Sequence, residues 1–231
     1  MLSEIFKLFW KTVERKDKRR INSQTSPTEI EQFCDIQYID DGLWQHRLDV
    51  YSKSGKLSHR PVIIDIHGGG WMYGTKEINK NYCLVLAQND YVVVNINYRL
   101  APDFSVADQL RDCFFAFKWV STNIEKYGGD LNNVFVTGDS AGGFLAAYSA
   151  LLNSSEKLRK IFGVTESGLE FRACGLTSPV CFMNTHTFQD VYYSRVKGKE
   201  FSESTLRGFE NFDAVLNKGS MPPTFLVTSS G

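Results

Sequence analysis

The stretch VFVTGDSAGGFLAAYSALL, residues 134–152, decides how this chain is read. An apolar run of strand type, Asn133–Thr137, leads into Gly138-Asp139-Ser140-Ala141-Gly142, and a helical run, Ala141–Leu152, starts at once. G-x-S-x-G between a strand and a helix puts its serine on a sharp turn in strained backbone geometry. Gly138, Ala141 and Gly142 are small because the turn is tight and the helix packs against the strand. The helix N-terminus then lies beneath any oxygen that develops negative charge there. Ser140 is therefore the candidate nucleophile. The pattern alone turns up by chance in roughly one chain in ten, so the flanking strand and helix carry the inference.

Upstream, the short apolar strand Pro61–Ile66 (PVIIDI) runs directly into His67-Gly68-Gly69-Gly70-Trp71. Consecutive glycines let backbone approach a ligand and aim N–H groups inward. Acyl transfer passes through a tetrahedral oxyanion, and one such donor lowers the barrier by ~3 kcal/mol. Gly69 and Gly70 are expected to donate two N–H groups and Ala141 the third. His67 lies at the root of the loop, on the donor side, so it is read as shaping the loop with Gly68 and not as a base. Trp71 is expected to wall the substrate pocket. Gly138, Asp139 and Gly142 support the turn around Ser140.

Outward from these motifs, strands alternate with helices. Tyr91–Asn97 and Phe171–Thr177 read as further strands, and Lys76–Gln88 and Ala107–Ile124 as helices. Ile36–Ile39 and Trp44–Tyr51 read as an opening hairpin across Asp40-Asp41-Gly42. Continuously apolar strands separated by helices predict an α/β fold, with a mostly parallel central sheet, helices on both faces and antiparallel opening strands. Residues 1–30 form a separate N-terminal segment, in which Leu2, Ile5, Phe6, Phe9 and Val13 recur at helical spacing with basic residues opposite. Residues 31–231 form the main domain, interrupted by a polar and aromatic insertion at about 180–220.

Lys+Arg and Asp+Glu balance at 26 each, which points away from nucleic acid and from anionic membrane surfaces as partners. The basic face of the N-terminal helix leaves a membrane-surface contact as a minor alternative. The five cysteines are odd in number and show no zinc or redox spacing, so they read as small buried hydrophobes in a reducing, cytoplasmic setting. No metal or cofactor is expected.

HGGGW and GDSAGG together resemble the hormone-sensitive-lipase-like group of the α/β-hydrolase fold, carboxylesterases of bacterial type. Residues 97–103 (NYRLAPD), the acid Asp112, and Met221-Pro222-Pro223 before Thr224–Thr228 fit that group as well. Ser105-Val106-Ala107 departs from it, where the group tends to carry a proline. The resemblance implies cofactor-free hydrolysis of small or medium uncharged esters through an acyl-enzyme, under a cap built from residues 1–30 and 180–220.

In that group the triad runs Ser, then Asp or Glu, then His. The acid follows the Pro-Pro strand, and here nothing acidic or histidine follows Thr228. Of the four histidines, only His186 comes after Ser140. The resemblance therefore leads us to expect a chain that lacks the final strand and helix, the triad acid and the triad His, and that is nearly inactive by itself. Its last strand would be an open sheet edge, which favours self-association into a homo-oligomer or poor solubility. Two other readings stay open: a non-catalytic small-molecule-binding protein on the same fold, and a related serine amidase or peptidase.

Overall fold

The computed structural model describes residues 2–55, 59–183, 189–203 and 206–228. Seven strands make one sheet: β1 (Ile30–Gln37), β2 (Arg47–Lys53), β3 (Arg60–Ile66), β4 (Val92–Ile96), β5 (Gly129–Asp139), β6 (Phe171–Thr177) and β7 (Thr224–Val227). Their order is β1-β2-β4-β3-β5-β6-β7. β1, β2 and β4 pair antiparallel, and β4, β3, β5, β6 and β7 run parallel. The helices are α1 (Leu2–Asn22), α2 (Lys80–Gln88), α3 (Val106–Asn123), α4 (Ser140–Ser154), α5 (Glu156–Phe162), α6 (Gln189–Glu203) and α7 (Asp213–Leu216). This is the α/β-hydrolase fold.

Side-chain alternation along the strands separates two apolar layers. Leu48, Val50, Val92, Val94, Ile64 and Val136 join a large core with α3 and α4. Tyr51 and Val93 point to the other face and pack on Cys83, Leu84 and Ala87 of α2. The central strands are apolar on both faces because helices cover both.

The opening hairpin differs from expectation. β1 begins at Ile30, and a bulge between Phe33 and Ile36 places Asp35 at φ 58°. β2 starts at Arg47, not Trp44, because residues 43–46 form a turn closed by the His46 N–H on the Leu43 carbonyl oxygen at 3.1 Å; the His46 ring reaches Asp41 and Asp112. Ser105 departs from the family pattern but caps α3: its side chain accepts from the Asp108 N–H and Asp108 answers at the Ser105 N–H. The sequence reading missed α5, although Ser155 caps its start and Gly163, at φ 65°, ends it. It also missed α6, which lies in the insertion and bends at Gly198. Cys83, Cys113 and Cys174 are buried as expected, whereas Cys34 is exposed, and all five are free thiols. Among the described residues no helix is long and apolar enough to cross a membrane.

Candidate active site

The sheet order reverses around β3: the chain leaves it for β4 on one side and later returns to β5 on the other. Crevices form beyond the carboxyl ends of strands at such a point. Both glycine motifs sit there, since β3 ends at Ile66 before the HGGGW loop and β5 ends at Asp139 before Ser140. Neighbouring parallel strands thus bring together segments far apart in sequence.

Ser140 opens α4 with φ 50°, a left-handed value that a non-glycine residue adopts at a cost. The turn closes without spare room. A Cβ on Gly142 would lie 2.0 Å from the Ile66 carbonyl oxygen, and one on Gly138 would lie 2.4 Å from that of Gly142. The Val180 N–H, 3.2 Å from the Ser140 carbonyl oxygen, braces the turn from beyond β6.

The two motifs are joined by side chains. The Gly68 N–H donates to Asp139 Oδ1 at 3.0 Å, and Asn79 Nδ2 donates to the same oxygen at 2.9 Å and to Asp65 Oδ2 at 3.0 Å. With Gly68 so engaged, the loop turns through Gly69 (φ 116°) and Gly70 (φ 57°). Among the described residues, the Gly69 and Gly70 N–H groups take no hydrogen-bond acceptor. Ala141 lies in the first turn of α4, where N–H groups have no partner within the helix. The loop that carries the two glycines follows β3, and Ser140 follows β5, its parallel neighbour.

Asn79 and Asp65 had drawn no notice in the sequence, since a polar residue at a helix start and an acid in an apolar strand each have ordinary readings. Asp65 is fully buried, and burial pushes its carboxyl up to about 7; the Asn79 amide opposes this and the Asp139 charge adds to it. The segment between loop and helix is fixed by Lys76. Its N–H reaches Asn97 Oδ1, and its buried ammonium contacts Asp49, Asp35 and Glu77.

The described histidines are occupied or distant. His67 is buried, stacks on Tyr98 and shares Nδ1 with the Gly68 carbonyl oxygen at 2.7 Å. Burial lowers its pKa to about 4, against the opposing effect of that bond, so it is neutral near pH 7. His46 bridges Asp41 at 2.7 Å and Asp112 at 3.2 Å. Burial lowers its pKa, but the two carboxylates outweigh this and raise it. Asp112 also grips Arg99 through Nε and Nη2, a structural role. His59 precedes β3, at the opposite end of the sheet from Ser140. His186 and Phe188 lie outside the described residues.

Trp71 is buried, at φ 63°, with its indole edge-on to Phe144 of α4 and Tyr193 of α6. Above the loop, α1 and α6 meet. Tyr192 donates its hydroxyl to the Gly70 carbonyl oxygen and packs on Phe6, while Trp10 stacks on Tyr73. The side chains of Leu2 and Ile5 fall outside the described ones. Among the described residues no group of three or more His, Cys, Asp or Glu is arranged to hold a metal ion.

With this geometry in hand, the chain can be compared with known proteins. The BD-FAE family model matches residues 48–193, a span that includes both glycine motifs. Esterase B from Lactobacillus rhamnosis, solved inhibited with a tributyrin phosphonate, superposes with a TM-score of 0.91 at 31% identity, covering 97% of this chain and 73% of that one. The versiconal hemiacetal acetate esterase of Dothistroma septosporum is 36% identical over 112 residues, 48% of this chain and 33% of that protein. The isoprenylcysteine alpha-carbonyl methylesterase of Arabidopsis thaliana is 28% identical over 196 residues, 80% of this chain and 46% of that protein. The chain thus spans a third to a half of the length of these curated relatives. Because family model, motifs and superposition agree, the chain belongs to the BD-FAE family, within the hormone-sensitive-lipase-like group of α/β-hydrolases.

Proposed function

We propose that this chain carries the nucleophile and oxyanion site of a carboxylic-ester hydrolase that acts through an acyl-enzyme on small-molecule esters. Ser140 Oγ attacks the ester carbonyl. The Gly69, Gly70 and Ala141 N–H groups hold the oxyanion. A general base takes the Ser140 proton and passes it to the leaving alcohol, and water deprotonated by the same base then releases the acid and restores the serine. His67 and Asp139 shape the donor loop and take no proton from Ser140. His46, held by Asp41 and Asp112, and His59, at the opposite end of the sheet, are excluded as the base by their positions, so the base is none of these four residues. Helices α1 and α6 act as the cap over the site.

The observation that carries this reading is the left-handed Ser140 at the end of β5, next to β3 and the glycine loop that follows it. The esterase relatives support the same chemistry. A phosphonate ester tests the nucleophile without requiring turnover. Mass spectrometry is expected to find a single adduct on Ser140, absent in Ser140→Ala. An adduct elsewhere, none at all, or equal labelling of the variant would refute the proposal and favour a non-catalytic binding protein.

A further inference from the structure

Between α1 and the turn that follows the glycine loop lies a cavity of about 250 Å³. Its walls are mostly apolar, formed by Phe6, Trp10, Met72, Tyr73, Ala101 and Pro102. Two of them are held in place, since Trp10 and Tyr73 stack at 5.3 Å with their planes 13° apart. The Tyr73 hydroxyl is tied to Asp17 at 3.2 Å. A cavity of about 150 Å³ suffices for benzene, so this one takes a ring with a short chain, or a medium alkyl chain.

The solvent side of the cavity is charged. Lys11, Glu14 and Arg195 complete the lining, and Lys11 and Arg195 are exposed. Glu14 is taken by Lys18 at 2.8 Å, one turn further along α1. The mouth therefore presents two cations against one carboxylate that already has a partner. Neither Ser140 nor a glycine of the donor loop lines the cavity. A Cβ on Gly70 would meet Trp10 Cζ2 at 2.6 Å, so the indole that lines the cavity also packs on Gly70.

We propose that this cavity is a binding site for a compact amphipathic monocarboxylate, its apolar body against Trp10 and Tyr73 and its carboxylate at Lys11 and Arg195. The site is separate from the ester-cleaving one and does not rest on the chemistry assigned to Ser140. An occupant would hold Trp10 against Gly70 and so brace the donor loop from outside.

Three probes with one body and different charges test this: 4-phenylbutyrate, 4-phenylbutanol and 4-phenylbutylamine, titrated by calorimetry and by the Met72 methyl resonance. The carboxylate is expected to bind about fivefold more tightly than the alcohol, and the amine most weakly, as two exposed cations allow. The preference should shrink to within about twofold in a Lys11→Gln/Arg195→Gln variant, whose melting transition checks the fold, and at high salt. Ser140→Ala should bind the carboxylate like the parent, which separates this site from the fate of the esterase reading. The proposal is overturned by equal binding of the three probes, by no binding up to about 10 mM, by a Met72 methyl that does not respond, by a charge preference that survives the double substitution, or by loss of binding in Ser140→Ala.

Discussion

At the floor of the site backbone meets backbone, whereas at its cover side chain meets side chain. Gly142 and Gly138 leave no room for a methyl group because carbonyl oxygens stand 2.0 Å and 2.4 Å from where it would go. The cover rests on Trp10 against Tyr73, Phe6 against Tyr192 and one tyrosine hydroxyl on Gly70, with Leu8 and Phe9 left 68% and 56% exposed. Side chains yield to an added atom and main chain does not. The floor should therefore fail as a unit, and the cover by degrees.

The largest contrast is expected between two glycines. Gly142→Ala forces the β3–α4 contact apart and should cost more than about 4 kcal/mol, leaving little folded protein. Gly198→Ala in α6 meets Ser105 Cβ at 3.1 Å and a backbone of φ 64°, ψ −172° that suits glycine, and should cost about 1–3 kcal/mol. Similar denaturant midpoints for the two would erase the distinction between floor and cover.

Lys76→Met comes next. It strands Asp49, which is fully buried and loses a 3.0 Å contact with the ammonium. Breaking a buried pair on one side costs about 3–5 kcal/mol. Urea unfolding should show that loss, and a change within about 0.5 kcal/mol would place the cluster among the weak surface pairs.

The floor also has a pH signature. Asp65 keeps its proton up to about pH 7 in the folded protein, whereas an unfolded aspartate releases it near its ordinary value of about 3.9. The folded state thus binds more protons between those values, so this residue's contribution to stability falls as pH rises from about 4 through 7, then levels off. Asp65→Asn should flatten that slope, by a few kcal/mol in order of magnitude. A parallel pH profile in the variant would mean that Asp65 is ionised in the folded state.

The smallest effect belongs to the cover. Tyr192→Phe keeps the ring on Phe6 and removes one hydrogen bond, worth about 1 kcal/mol. Hydrogen exchange in α1 should quicken while the global melting transition barely moves. Unchanged exchange in α1 would show that the cover does not depend on this hydroxyl.

The same division explains what could be read from sequence. HGGGW and GDSAGG announce the floor because backbone approach permits so few residue types there, and uninterrupted apolar strands announce a sheet covered on both faces. The cover carries no such constraint: α6 mixes polar and aromatic residues and bends at Gly198, so no helical period stands out. Asn79 escaped notice because its task, joining Asp65 to Asp139, exists only once β3 and β5 are neighbours. His46 alternates correctly with Leu48 and Val50, yet the turn its N–H closes on Leu43 keeps it out of the strand, a contact that alternation does not reveal. Ser105, with Asp108 three residues on, did carry a legible helix-start signal.

The most direct test of the account is a crystal structure of the phosphonate-treated protein. The account predicts phosphorus bonded to Ser140 Oγ, with the phosphoryl oxygen about 3 Å from the Gly69, Gly70 and Ala141 nitrogens. A phosphoryl oxygen turned away from those N–H groups, or phosphorus on another side chain, would contradict it.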